Sequence, residues 1–181
     1  MDAGSRFVWR IHRLAARCDR RGWKNAAKAI ATLNRIVHTV DIDPGLRGGD
    51  SVELMHGGIG TVIGPATIGD RCMIFHGVTI GRASLPGWSG DAGLPVLGDD
   101  VTVGAGATVL GPVQVGDGAM IAAGALLLAK ALPVVPAGAV VAGIPAKVVH
   151  PRLVRLDVGD AEDLEREAGW RWWAASRSTR A

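Results

Sequence analysis

Aliphatic residues recur every sixth position through the middle of the chain. Val62, Ile68, Ile74 and Ile80 form one series, and Leu97, Val103, Val109, Val115, Ile121 and Leu127 form a second in the same period. Ile, Leu and Val supply 46 of the 181 residues, about a quarter, so ten matches in ten has a chance frequency of ~10⁻⁶ before choice of register. A small residue often follows the aliphatic, as in Ile68-Gly69, Leu97-Gly98, Val103-Gly104 and Val115-Gly116. Others recur four positions later, at Ala66, Ala107 and Ala125. The pattern predicts a stack of very short strands, each turning one aliphatic inward, with small residues at tight corners where Gly tolerates the backbone angles. Three hexapeptides then make one triangular turn, and successive turns stack their strands in parallel ladders. The fold class is mainly β, a parallel β-helix of hexapeptide repeats. Its narrow interior explains why Trp9, Trp23, Trp88, Trp170, Trp172 and Trp173 all fall outside the regular repeats.

The flanks follow a different period. Phe7, Ile11, Leu14 and Cys18 fall at helical spacing, and Ile30, Leu33 and Val37 repeat it after a break near Gly22. Residues 1–40 therefore read as a short α-helical arm of two amphipathic helices. Residues 41–150 carry the repeats. Within them, 82–95 breaks register with Pro86, Gly87, Trp88, Gly90 and Gly93 and reads as an external loop, a common place for function. Residues 151–181 form a tail in which Asp160 caps a final helix bearing Leu164, Ala168 and Trp172, placed to cover the open end of the stack.

Charge sharpens this division. The arm holds 9 Lys/Arg against 2 Asp/Glu, the repeats 5 against 9, and the tail 6 against 6. A basic arm raises nucleic acid or a membrane surface as partners. Its arginines, however, largely leave the apolar stripe, so the arm reads as amphipathic helices with a solvated face and not as a nucleic-acid stripe with interleaved aromatics. Gly is about 14% of the chain (26 of 181), Tyr is absent and Phe occurs twice, which argues against a helical bundle. No Gly-X-Y period is present, which excludes collagen. Ala119–Ala146 is apolar except for Lys130, yet Pro133, Pro136 and Pro145 make it a poor membrane span. Cys18 and Cys72 are too few and too far apart for a disulfide scaffold, and no signal-peptide stretch follows Met1. A cytoplasmic location, without integral membrane contact, is expected.

Candidate chemistry centres on histidine. His12 and His38 lie in the arm and His150 lies past the repeats. His76, third in its hexapeptide, is expected to point outward. His56 precedes Gly57-Gly58, which leave room for a ligand, and Asp41 ahead of the first coil is placed to orient a histidine. Two coil histidines do not make a zinc site, so no metal is expected. No Gly-x-Ser-x-Gly or phosphate loop occurs, and neither Cys has the surroundings of a nucleophile. General-base catalysis without a covalent step is the simplest enzymatic reading.

Four motifs in order resemble the serine O-acetyltransferase family of hexapeptide acyltransferases: Val40-Asp41-Ile42-Asp43-Pro44, Leu54-Met55-His56, His76-Gly77-Val78-Thr79-Ile80-Gly81 and Ala142-Gly143-Ile144-Pro145-Ala146-Lys147. The resemblance covers about residues 20–150. It implies a left-handed parallel β-helix assembled as a homotrimer, with acetyl-CoA in the groove between subunits and acetyl transferred to a hydroxyl. The family's catalytic histidine matches His56 and its supporting aspartate matches Asp41. Its pantetheine contacts match Gly81, Ala105 and Ala123, and a basic position near the CoA phosphates matches Lys147. The family's acceptor-holding aspartate matches Met55, and an Arg-His pair before the loop-closing proline matches Gly93 and Leu94. His76, with the short arm, also resembles members that acetylate sugars. The implied acceptor is serine or a related small hydroxylated metabolite. A saccharide acceptor is the alternative within the class, and a non-catalytic trimeric scaffold the alternative outside it. A zinc-dependent hydratase is a weaker third.

Overall fold

A computed structural model describes residues 3–49, 51–83 and 93–151. Three parallel sheets wrap around one apolar core. The first face stacks β1 (Asp41–Ile42), β4 (Val62–Ile63), β7 (Thr79–Gly81), β10 (Thr108–Leu110) and β13 (Leu126–Leu128). The second stacks β2 (Arg47–Gly48), β5 (Thr67–Ile68), β8 (Val96–Leu97), β11 (Gln114–Val115) and β14 (Val134–Val135). The third stacks β3 (Glu53–Leu54), β6 (Met73–Ile74), β9 (Thr102–Val103), β12 (Met120–Ile121) and β15 (Val140–Ala142), and β16 (Lys147–His150) returns antiparallel to β15. Each strand pairs with the strand three further along the chain, which is the ladder of a β-solenoid.

The hexad explains the core. Ile68, Ile74, Ile80, Leu97, Val103, Val109, Val115, Ile121 and Leu127 are all buried. So are seven of the residues four positions after them, Cys72, Val78, Val101, Ala107, Val113, Ala119 and Ala125, whereas Ala131, four after Leu127, is exposed. Each of those seven repeats thus buries a large aliphatic from its strand and a smaller residue from its corner. Every fully buried Ile or Leu contributes about 1.5–3 kcal/mol by transfer from water.

Val62 breaks the expectation. It is 44% exposed, and its neighbour Ile63, 1% exposed, turns inward instead. The step from the inward Leu54 to Ile63 is nine positions, where a regular repeat has six, and the following step to Ile68 is five. The added residues build the turn around His56 and shift the register by one. In a strand, such a slip exchanges the inward and outward side chains.

A second regularity lies at the corners leading from the second face to the third. The Asp99 carboxylate accepts from the Asp70 N–H at 2.8 Å, and the Asp117 carboxylate accepts from the Asp99 N–H at 2.8 Å. Each carboxylate reaches back to the coil before it. Arg71 adds a bidentate contact to Asp100, at 2.9 and 2.7 Å.

The arm is helical, as α1 (Ala3–Arg20) and α2 (Lys24–His38). α1 ends where Gly22 takes φ +80° and the Trp23 N–H reaches the Cys18 carbonyl at 2.9 Å, a left-handed cap. The buried face differs from the expected stripe. Ser5, Val8, Trp9, His12, Ala15 and Ala16 face inward, while Phe7 and Leu14 are exposed. In α2 the buried residues are Ala27 and Asn34, while Leu33, Ile36 and Val37 are exposed. The reason is the surface that α1 meets. Val8 and Trp9 join the core of the first coil with Val40, Ile42, Leu46 and Val52, closing the end of the solenoid. Ser5 Oγ accepts from the Leu54 N–H at 3.0 Å, and Asn34 Nδ2 donates to the Val8 carbonyl at 3.3 Å. Small and polar residues allow this close approach. The expected tail helix over 151–181 lies outside the described residues apart from Pro151, as does most of the 82–95 loop, including Trp88.

Candidate active site

The corner joining the third face to the first carries the histidines. After β3 the chain makes a short turn, Met55–Gly58. His56 there has φ 56° and ψ 33°, a left-handed conformation rare for a side chain of this size, and Gly57 and Gly58 continue it at φ 69° each. Such strain of about 1–3 kcal/mol is kept where the surroundings impose it. Here the Gly60 N–H bonds the Thr39 carbonyl, the Asp41 N–H bonds the Thr61 carbonyl and the Gly77 N–H bonds the Ile59 carbonyl, holding the turn from below and above. His56 is exposed at its tip.

His76 occupies the same corner one coil up. The two imidazoles meet edge to face with ring centroids 5.4 Å apart, and Phe75 lies 6.3 Å from His56 in a similar attitude. The corner continues upward. The Gly106 N–H bonds the His76 carbonyl at 3.0 Å, and the Gly124 N–H bonds the Ala105 carbonyl at 2.8 Å. Ala105 and Ala123 thus stack above the histidines, with no bulky side chain over the backbone. At the top, the Leu126 N–H bonds the Gly143 carbonyl, and the turn through Ala146 delivers the exposed Lys147 into β16. Met55, His56, His76, Ala105, Ala123 and Lys147 therefore follow one edge of the prism.

Two expected residues lie elsewhere. Gly81 ends β7 on the far edge of the first face, where its carbonyl accepts from the Gly111 N–H. Leu94 sits on that same edge, before Pro95, whose carbonyl pairs with β5. Gly93 beside it abuts Pro112. Within one chain these two residues do not join the histidine corner.

Asp41 begins β1 alongside the His56 turn, but its carboxylate is engaged by Arg35 of α2, at 3.7 Å. Arg35 was not singled out in the sequence. Its signal was a cation in the last turn of a helix that ends three residues before Asp41. Among the described residues, no group of three or more His, Cys, Asp or Glu side chains is placed to hold a metal ion, and no helix is long and apolar enough to cross a membrane.

Short parallel ladders, a six-residue core period and a corner lined with small residues define a hexapeptide-repeat protein, and the family model "Bacterial transferase hexapeptide (six repeats)" matches residues 95–129. A serine acetyltransferase of Helicobacter pylori strain J99 is 38% identical over 139 residues, covering 76% of this chain and 77% of that protein. The chain belongs to the serine acetyltransferase family. A serine acetyltransferase of Mycobacterium tuberculosis is 42% identical over 147 residues, or 81% of this chain. The structure of serine acetyltransferase from Brucella abortus strain S19 in complex with coenzyme A superposes with a TM-score of 0.73 at 33% identity over 83% of this chain. The chain spans only 60% of the mycobacterial relative and 57% of the Brucella chain.

Proposed function

We propose that this protein transfers acetyl from acetyl-CoA to the hydroxyl of serine, with His56 as general base. The observation that carries this is the corner itself: the long turn between β3 and β4 holds a histidine outward, in a strained conformation, at the foot of a smooth edge that ends in a lysine. His56 takes the hydroxyl proton as that oxygen attacks the thioester carbonyl, and the coenzyme's thiolate departs and is protonated. Proton removal by a positioned base of this kind contributes about 10²–10⁴-fold. N–H groups at the glycine-rich corner are the candidate donors to the oxyanion. Asp41, next to the turn and held by Arg35, is the proposed partner that fixes the imidazole and balances its charge.

The edge from His56 to the Gly143 turn climbs four coils, roughly 19 Å at the spacing of paired strands. An extended pantetheine arm fits along it, over Ala105 and Ala123, with Lys147 near the CoA phosphates. Gly81 and Leu94 sit on another edge, so the reading assigns them to a groove between two copies: one copy supplies the histidines and the next supplies Gly81 and Leu94. A homotrimer of triangular prisms makes three such grooves. The exposed aliphatics Leu33, Ile36 and Val37 support assembly, since burying them against a second copy removes apolar surface from water.

Met55 and Leu94 present no charge to the ammonium or carboxylate of serine, so His76 is the proposed polar contact for the acceptor. Steady-state assays of CoA release with L-serine, L-threonine and glycerol test the acceptor. Serine is expected to give the highest kcat/KM, and equal rates with all three would overturn serine as the substrate.

A further inference from the structure

α1 lies against the first coil across a cleft of about 430 Å³ that is lined by none of the His56-edge residues. Trp9, His12, Arg13, Arg17 and Arg20 form the helical wall, and Arg47 with the Gly48-Gly49 turn forms the other. Four arginines therefore line one space, with Arg13 Nε donating to the Trp9 carbonyl at 3.4 Å. Three of them repeat at helical spacing on a single face, where like charges four apart destabilise a helix by about 0.2–0.5 kcal/mol per pair. Asp43 is an acidic group near His12. Arg17 and Arg20 lie in the last turn of α1, where the helix dipole favours a cation, but that gain does not extend to Arg13 or Arg47.

Two buried ring nitrogens add a second observation. Trp9 is 2% exposed and His12 5% exposed, and Trp9 Nε1 and His12 Nδ1 have no hydrogen-bond partner among the described residues. Indole nitrogen is a donor only. A buried donor left unmatched costs about 1–3 kcal/mol, so native proteins seldom leave one without a use. The rings meet edge to face at 5.4 Å, so the two side chains form one cluster, and both residues line the cleft.

We propose that this cleft is a binding site for a small phosphorylated anion. Guanidinium forks match the spacing of phosphate oxygens and bind them bidentately. The volume exceeds that of a single phosphate and suits a compact metabolite carrying one or two. The site does not depend on the acetyl-transfer reading: it involves none of the residues on the His56 edge, and its test measures binding alone.

Isothermal titration of the full chain with sodium pyrophosphate, at constant ionic strength, tests it. Parallel titrations use citrate and two variants, Arg17→Gln/Arg47→Gln and Lys147→Ala. Arg17 and Arg47 are exposed, and thermal melting checks that the double variant folds. The expected result is one saturable site per chain, unaffected by Lys147→Ala and weakened at least about tenfold in the double variant, because each lost charged hydrogen bond is worth about 1.5–3 kcal/mol. The proposal is overturned by an absence of saturable heat, by unchanged affinity in the double variant, by loss of binding in Lys147→Ala instead, or by citrate binding as tightly as pyrophosphate.

Discussion

His56 and His76 lie one coil apart on a single edge of the prism, their rings edge to face at 5.4 Å. The inserted turn makes this relationship. Without the added residues between Leu54 and Ile63, position 56 would be an ordinary corner and would not project beside its neighbour. His76→Asn is expected to raise KM for the acceptor more than it lowers kcat, because the proposal gives His76 an acceptor contact and not the proton transfer. Initial rates over a range of serine concentrations separate the two parameters, and a pure loss of kcat with KM unchanged contradicts that role.

The register shift predicts opposite outcomes at adjacent residues. Ile63→Ala removes a fully buried side chain and should cost about 2–5 kcal/mol. Val62→Ala, at an exposed position, should cost less than about 1 kcal/mol. Urea unfolding of both variants reads the difference, and a larger loss at Val62 would return the inward position to the uninterrupted hexad.

How far the sequence disclosed the molecule follows from these residues. The hexad from Ile68 to Leu127 was legible because each aliphatic has one narrow interior to fill. Val62 was misplaced because an inserted turn resets the register without leaving a mark in composition. The arm's two helices were legible from spacing, but their buried faces were not. Trp9 and Ser5 are buried by the end of the solenoid, a surface built from residues about 30 to 50 positions away in the chain, and Asn34 by Val8 of the facing helix, 26 positions away. In the candidate site, His56 and His76 were visible as residues, whereas their edge-to-face pairing and the Arg35–Asp41 contact depend on which coils stack.

Burial lowers the pKa of His12 to about 4 from the 6.5 of an exposed imidazole, with desolvation as the main cause and Asp43 opposing it. The unfolded chain therefore binds a proton between pH 6.5 and 4 that the folded chain refuses. The stability present above pH 6.5 is lost progressively as pH falls toward 4, by about 3 kcal/mol in all. Denaturant midpoints at pH 7 and pH 5 should differ in the native chain and differ less in His12→Gln. An equal pH dependence in both proteins rules out His12 as the source.

Gly48 and Gly22 both have positive φ, +77° and +80°. A Cβ at Gly48 would strike the Ile68 carbonyl oxygen of the next coil, whereas one at Gly22 meets nothing within 4 Å. Gly22→Ala is expected to cost about 1 kcal/mol, for the backbone conformation alone. Gly48→Ala should cost several kcal/mol more, as the paired strands must separate. Melting temperatures of the two variants measure this, and similar losses would show that the contact is relieved easily.

Cys72 is buried and its thiol is pushed up to about 11, chiefly by desolvation. Thiolate is the reacting form, so Cys72 should resist a disulfide reagent at pH 8 until the chain unfolds. Colorimetric titration of native and denatured protein counts the thiols. Two rapidly reacting thiols in the native protein contradict the burial.

The central claim is that His56 is the base for acetyl transfer to serine. It is tested most directly by CoA thiol release from acetyl-CoA and L-serine, in the native protein and in His56→Ala. His56 is exposed on its turn, so the variant should fold as the native protein does. The account predicts serine-dependent turnover that falls by about 10²–10⁴-fold in the variant. Undiminished turnover in His56→Ala would contradict it.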